Sequence, residues 1–317
     1  MTADSMQTGQ QGGPTGGGRV ASDARWLAAG AAGLAAAVLA MWAFRGLPGG
    51  AIALWVSALP LFMAGLGFGL PALIASIAVA SFALLLVGNA LMLGLFLAAF
   101  AAPVLTLVVA ASTRGPNLGP PFAMLGVIPA LGIAAAAILL ADSPGGLEGE
   151  MRRAAELGLS RLGLPAGEAM VADLVRVKAA AIGFWVMIAL LVNAAGAAAL
   201  LVRAGVIAAA PAWREARLPA WYLLLPALAA LAWLAADAST DAVPLSLLLS
   251  LLVPVFLHGV AAFHRATRTL RGRPMVMGGA YTALLIFAVP LALAATGFGL
   301  FDIVNANRGR PAPPPHS

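Results

Sequence analysis

The chain has 317 residues, 62% hydrophobic and 9% charged, against roughly 25% charged in an ordinary soluble domain. With a mean hydropathy of +0.97 it cannot cover a water-facing surface, so a single soluble domain is excluded and lipid is the expected solvent. The absence of cysteine excludes disulfides, thiolate metal centres and cysteine nucleophiles, and the net charge of +6 is spread through short loops, as membrane-edge arginine is, with no nucleic-acid-binding cluster.

Residues 1–25 are rich in Gly, Gln and Thr and lack the apolar content that repays ordering, so a disordered tail is expected. Trp26 to Phe44 is an uncharged run and the first expected span. Arg19 and Arg25 ahead of it also fit a cleaved signal peptide, but the run is longer than a usual signal core, and a retained span is the preferred reading. From 46 to 113 the chain carries no charge. That stretch accommodates three spans, near 50–69, 71–88 and 90–111, with turns at Gly69-Leu70-Pro71 and Gly88-Asn89. A re-entrant or broken pair within 50–88 is the alternative. A fifth span is expected over 121–141.

The one sizeable extramembrane insertion covers 142–177. It holds Asp142, Glu148, Glu150, Glu156, Glu168 and Asp173, half of the chain's 12 acidic residues. Leu147, Met151, Ala155, Leu159 and Leu162 share a helical face, with Glu148/Arg152 and Arg152/Glu156 spaced for i,i+4 ion pairs. Pro165-Ala166-Gly167 should break this helix, and a shorter one from Glu168 should lead back to the membrane. The segment reads as an interfacial hairpin capping the bundle or as a lid or partner-docking element. Spans near 179–202, 219–236, 243–263 and 276–298 follow, then a Pro-rich tail over 305–317. The expected fold is therefore an all-α polytopic bundle of about nine spans, eight if one is miscounted, forming a single transmembrane domain over 26–304. No internal repeat is visible.

With a cytoplasmic N-terminus, the segments bearing Arg203, Arg214 and Arg217 and then Arg265, Arg268, Arg271 and Arg273 fall inside. The intervening connection has Asp237 and Asp241 but no Lys or Arg. This alternation is the positive-inside pattern. The count also places Arg308 and Arg310 outside, where they fit poorly.

Polar groups within spans are costly and mark candidate sites. In the eighth span Ser246, Ser250, Pro254, His258 and Ala262 recur at i+4, a polar and small ridge on a Leu/Val helix. Pro254 frees the Ser250 carbonyl, so two hydroxyls, a carbonyl and an imidazole line one ridge. The ridge either lines a substrate cavity or packs against neighbouring helices, with Gly259 admitting a backbone. Asn193, in the sixth span, is either interhelical glue or a ligand contact. Asp302 follows Gly297-Phe298-Gly299, where the last helix should fray, and reads as interfacial. Gly65 and Gly69 form a G-x-x-x-G pair for close helix approach. Pro60, Pro103, Pro226, Pro254 and Pro290 should kink their spans. No G-x-S-x-G, H-E-x-x-H or paired membrane carboxylates occur, so no enzyme, catalytic residue, metal site or cofactor is expected.

The run Pro254-Val255-Phe256-Leu257-His258-Gly259-Val260-Ala261 with His264, the ending with Gly297, Asp302, Asn305 and Arg308, and the amphipathic insertion together resemble the YybS-like family of bacterial membrane proteins. That family is similar in hydropathy and presumed fold to the substrate-binding subunits of energy-coupling-factor transporters. The resemblance implies a small-molecule-binding subunit of the bacterial inner membrane with no ATPase of its own. It would dock a coupling subunit and ATPases through small-residue faces such as Gly65/Gly69 and Ala28/Ala32/Ala36. The expected substrate-binding residues are Ser246, Ser250, His258 and Asn193. The rival expectation is a non-transporting scaffold for a cell-envelope or division complex.

Overall fold

A computed structural model describes residues 17–112, 118–165, 167–237 and 240–308, with side chains over 24–306. Arg114, Ala166 and most of the two expected tails lie outside the described residues. Every regular element described is a helix: α1 (Gly17–Phe44), α2 (Gly50–Val56), α3 (Leu59–Phe68), α4 (Leu70–Val87), α5 (Ala90–Phe96), α6 (Ala102–Ser112), α7 (Gly119–Leu139), α8 (Gly146–Arg161), α9 (Glu168–Arg203), α10 (Leu224–Ala235), α11 (Ala242–Ala266), α12 (Arg273–Ile286) and α13 (Ala288–Arg308). Eight helical segments are long and apolar enough to cross a membrane. The protein is an all-α, multi-pass membrane bundle.

Prolines set most of the interruptions. A proline ring collides with the carbonyl four residues earlier, and α2 ends at Val56, four before Pro60, while α12 ends at Ile286, four before Pro290. Ahead of Pro103 the ladder widens into a π turn over Leu97–Ala101. Ahead of Pro226 a short 3-10 turn, Ala220–Leu223, precedes α10. Pro129 and Pro254 sit inside continuous helices instead. At Pro254 the neighbouring Leu251 carbonyl receives the Tyr222 hydroxyl at 2.8 Å, which supplies a donor where the helix is perturbed.

The expected turns are present. Gly69 takes φ +84° between α3 and α4, and the Asn89 side chain caps α5 by accepting the Met92 N–H at 2.9 Å. Two of the nine expected spans differ. The segment expected at 219–236 forms only the short apolar run Ala220–Ala235, and the one expected at 276–298 is cut by the Pro290 break, so the last membrane-length helix is Ala288–Ala306. The first helix begins at Gly17, ahead of the expected boundary.

The new last helix changes the C-terminal topology. Gly259 of α11 lies against the backbone of Ala295 and Gly299, and Gly299 against Val255. Further along both helices Arg265 reaches Asp302. Hence α13 runs in the same sense as α11, and its C-terminal end lies with Arg265. The Arg308 end, counted outside in the nine-span scheme, belongs at the arginine-rich end of the bundle. With only 14 residues, α12 rises about 21 Å, less than the roughly 30 Å core, and forms with α13 a bent pair.

At the opposite end, α8 packs Met151, Ala155 and Leu159 against Val171 and Val175 of α9. Leu162 of the expected apolar face is exposed. Instead of a short helix and a separate span, α9 is one helix of 36 residues. The ion pair on α8 is Glu150–Arg153, at i,i+3, and neither expected i,i+4 pair occurs. The hairpin is tied to the bundle by Arg176, whose Nη2 and Nε donate to the Asp241 carboxylate at 2.5 and 3.2 Å, with the Trp233 indole N–H at 3.4 Å. Arg176 holds the Asp241 carboxyl below the usual carboxylate range, and burial pushes the Glu148 carboxyl up, with Asp241's charge adding to it. A depressed carboxylate stabilises above its unfolded pKa, and that contribution is lost as pH falls through the folded value. A raised one stabilises in acid and is lost as pH rises through its folded value. Acidification below the ordinary carboxylate range should therefore loosen the hairpin, read as faster amide exchange over 146–176, and Asp241→Asn should flatten this acid limb.

Candidate functional site

Between α9 and α10 the chain is mostly non-helical from Ala204 to Pro219. Tyr222 bonds at Leu251, near the middle of α11, and Trp233 bonds at Asp241, ahead of its start. So α10 runs antiparallel to α11 over only part of its length, and the segment before it dips into the arginine-rich end to meet α11. Ala216 and Leu218 of this segment are buried. Irregular backbone at such depth is tolerated where it is packed in protein or lines a cavity, and here it does both.

The cavity has a volume of about 950 Å³, near the upper end of ligand-site volumes. Its walls include Leu66, Leu118, Trp221 and Ile303, and among the described residues Glu215, Arg217, His258 and Asp302 are its ionisable groups. His258 Nδ1 accepts the Leu218 N–H at 3.4 Å, and Nε2 meets Asp302 Oδ2 at 2.9 Å. With Nδ1 accepting, the neutral ring carries its proton on Nε2 and donates it to the carboxylate. Arg265 Nη2 donates to the same Asp302 oxygen at 2.7 Å, while Nη1 donates to the carbonyls of Arg214 and Ala216 at 3.1 and 3.4 Å. One network thus joins α11, α13 and the dipping segment. Protonating Nδ1 would remove the acceptor that Leu218 uses, so the ring's charge state is coupled to the position of the segment.

Of the expected ridge, His258 reaches this cavity. Ser246, Ser250, Pro254 and Ala262 are buried elsewhere along α11 and do not line it. Ser246 donates to the Arg176 carbonyl at 3.4 Å. Ser250 lies over Gly183, and its hydroxyl has no partner among the described residues. His264 pairs with Tyr281 at 2.7 Å on a different face.

Asn193 is 4% exposed and donates to the carbonyls of Trp55 and Ala189 at 2.6 and 2.7 Å. Trp55 sits at the end of α2, where the break ahead of Pro60 leaves carbonyls without helical donors. The amide thus ties α9 to a broken helix, beside a smaller groove of about 360 Å³ that it lines with Leu59 and Arg203. Asn193→Ala should cost about 1–3 kcal/mol, the penalty for an orphaned buried acceptor, read as a lowered thermal midpoint in detergent.

Gly65 packs against Val108 and Leu73 of the same chain, Gly69 forms the turn, and Ala36 is fully buried while Ala28 and Ala32 are partly so. These small residues serve internal packing to that extent. Asp302, expected at a frayed end, lies within α13. Sequence reasoning passed over Asp302, Arg217, Arg265 and Trp221 as site residues. The available signal was the single acidic residue in the apolar run after Pro290. Among the described residues no cluster of His, Cys, Asp or Glu could hold a metal ion. No protein-family model matches the chain, and neither a curated protein nor a solved structure matches it.

Proposed function

We propose that this is a transporter-like membrane protein of the bacterial inner membrane that binds a small molecule in the cavity at its arginine-rich, cytoplasmic end, without an ATPase of its own. The observation that carries the reading is the dipping segment: irregular backbone that meets the membrane-length helix α11 at His258, is held by the His258–Asp302–Arg265 network, and lines a cavity of ligand size. Discontinuous helices around a polar site are the usual construction of transporter binding sites. The orientation rests on the concentration of Arg203, Arg214, Arg217, Arg265, Arg268, Arg271 and Arg273 at one end. The resemblance of the Pro254–Ala261 run to the YybS-like family would, if it holds, add a coupling subunit and ATPases as partners.

Native mass spectrometry of the protein gently extracted from its own membrane tests it. A retained small molecule that is lost in Trp221→Ala, with the thermal midpoint preserved, is the expected result. A protein that carries only bulk lipid, or is held stably by an envelope protein, would favour the scaffold.

A further inference from the structure

The ionisable groups around the cavity are not balanced. Asp302 is met by Arg265 at 2.7 Å, and Glu215 by Arg268 at 3.3 Å. Among the described residues each carboxylate at the cavity therefore has its own arginine. Arg217 lines the same space, is exposed there, and has no carboxylate partner among the described residues. His258 offers a ligand little, because Leu218 occupies Nδ1 and Asp302 occupies Nε2. Among the described residues, what remains is the Arg217 guanidinium beside apolar walls and the exposed Trp221 ring.

Resting on the small-molecule reading above, we infer that the cavity's ligand is an amphipathic organic anion, with its carboxylate or phosphate on Arg217 and its apolar body against Trp221 and Ile303. A guanidinium presents a planar fork that matches either group bidentately. Partial enclosure by apolar walls strengthens that attraction relative to open water. A cation would meet an Asp302 carboxylate whose charge Arg265 already offsets, and Arg265 is held in place by two backbone carbonyls as well. A neutral ligand of the same shape would leave Arg217 without a partner and gain only the apolar contact. The same chemistry describes a soluble metabolite and an anionic lipid.

The test uses the full chain in phosphatidylcholine nanodiscs and four probes of one shape: 1-naphthyl phosphate, 1-naphthoate, 1-naphthalenemethanol and 1-naphthylmethylamine. Binding is read by calorimetry. The two anions should bind at least tenfold more tightly than the alcohol, and the amine more weakly still. Arg217→Gln should abolish that preference while leaving the thermal midpoint unchanged, and Arg217→Lys should keep part of it. Adding phosphatidylglycerol separates the sources: displacement of the naphthyl phosphate supports a lipid anion, and unchanged binding supports a soluble one. Equal binding of alcohol and anions, or preference for the amine, would overturn the inference and leave the small-molecule reading intact. If no probe binds although cysteines at Ala210 and Ala306 react with water-soluble reagents, the anion assignment is also overturned. If those positions are unreactive as well, the cavity and the proposed function fail together.

Discussion

Gly259→Ala is expected to destabilise the protein by about 1–3 kcal/mol, the usual cost of forcing atoms into a filled core, and Gly259→Leu by more. A Cβ at this position would strike the Ala295 carbonyl and crowd the Gly299 amide. These are backbone atoms of α13, so no flexible side chain can move aside, and α11 and α13 must separate. Separation would also draw Asp302 away from His258 and Arg265, so the cavity network should loosen with the seam. Gly297, two residues before Gly299, has open space around its Cβ position. Gly297→Ala should therefore stay within about 0.5 kcal/mol of the parent. Thermal unfolding of the three variants in one detergent reads the contrast. Equal midpoints for Gly259→Ala and Gly297→Ala would sink the seam.

Asp302→Ala is the second large effect. It leaves the Arg265 side chain, 19% exposed, and the His258 ring, 3% exposed, without their shared acceptor. Breaking a fully buried pair costs about 3–5 kcal/mol. Asp302 is 36% exposed to the cavity, so water repays part of that loss and about 2 kcal/mol is expected, within the range for bonds to charged groups. Asp302→Asn retains a carbonyl acceptor for the guanidinium and should cost less. Combining Asp302→Ala with Arg265→Ala should cost less than the two single changes added together, because they remove one interaction. Strict additivity would show that the pair is not formed.

The membrane character, most helix positions and the tight turns were legible because each rests on local chemistry: uncharged length, Gly and Asn at reversals, proline within a span. The consequences of individual prolines were less so. Pro60, Pro226 and Pro290 all lie next to breaks, whereas Pro254 is carried inside α11, where Tyr222 bonds the adjacent carbonyl of Leu251. That partner lies 29 residues away and no periodicity announces it. The Pro290 break moved the last span by several residues, reversed the expected side of the C-terminus and carried Asp302 from a frayed end to the centre of a network. Of the polar ridge, His258 was legible as a candidate by its cost in lipid, but Ser250 pays the same kind of cost in a packed seam. Which polar residue faces a cavity depends on what the 204–219 segment does, and that segment lacks the periodicity by which helices are recognised.

The central claim is that residues 204–219 line a water-filled cavity open at the arginine-rich end. A chain without cysteine allows it to be tested by single substitutions without a background to remove. Ala210→Cys and Ala306→Cys, both exposed in the cavity, are compared with Ser160→Cys on the α8 hairpin, using a membrane-impermeant maleimide on sealed vesicles of each orientation. Ala210→Cys and Ala306→Cys should react only from the cytoplasmic face and Ser160→Cys only from the opposite one. Reaction of Ala306→Cys from the same face as Ser160→Cys, or no reaction at Ala210→Cys from either face, would contradict the account.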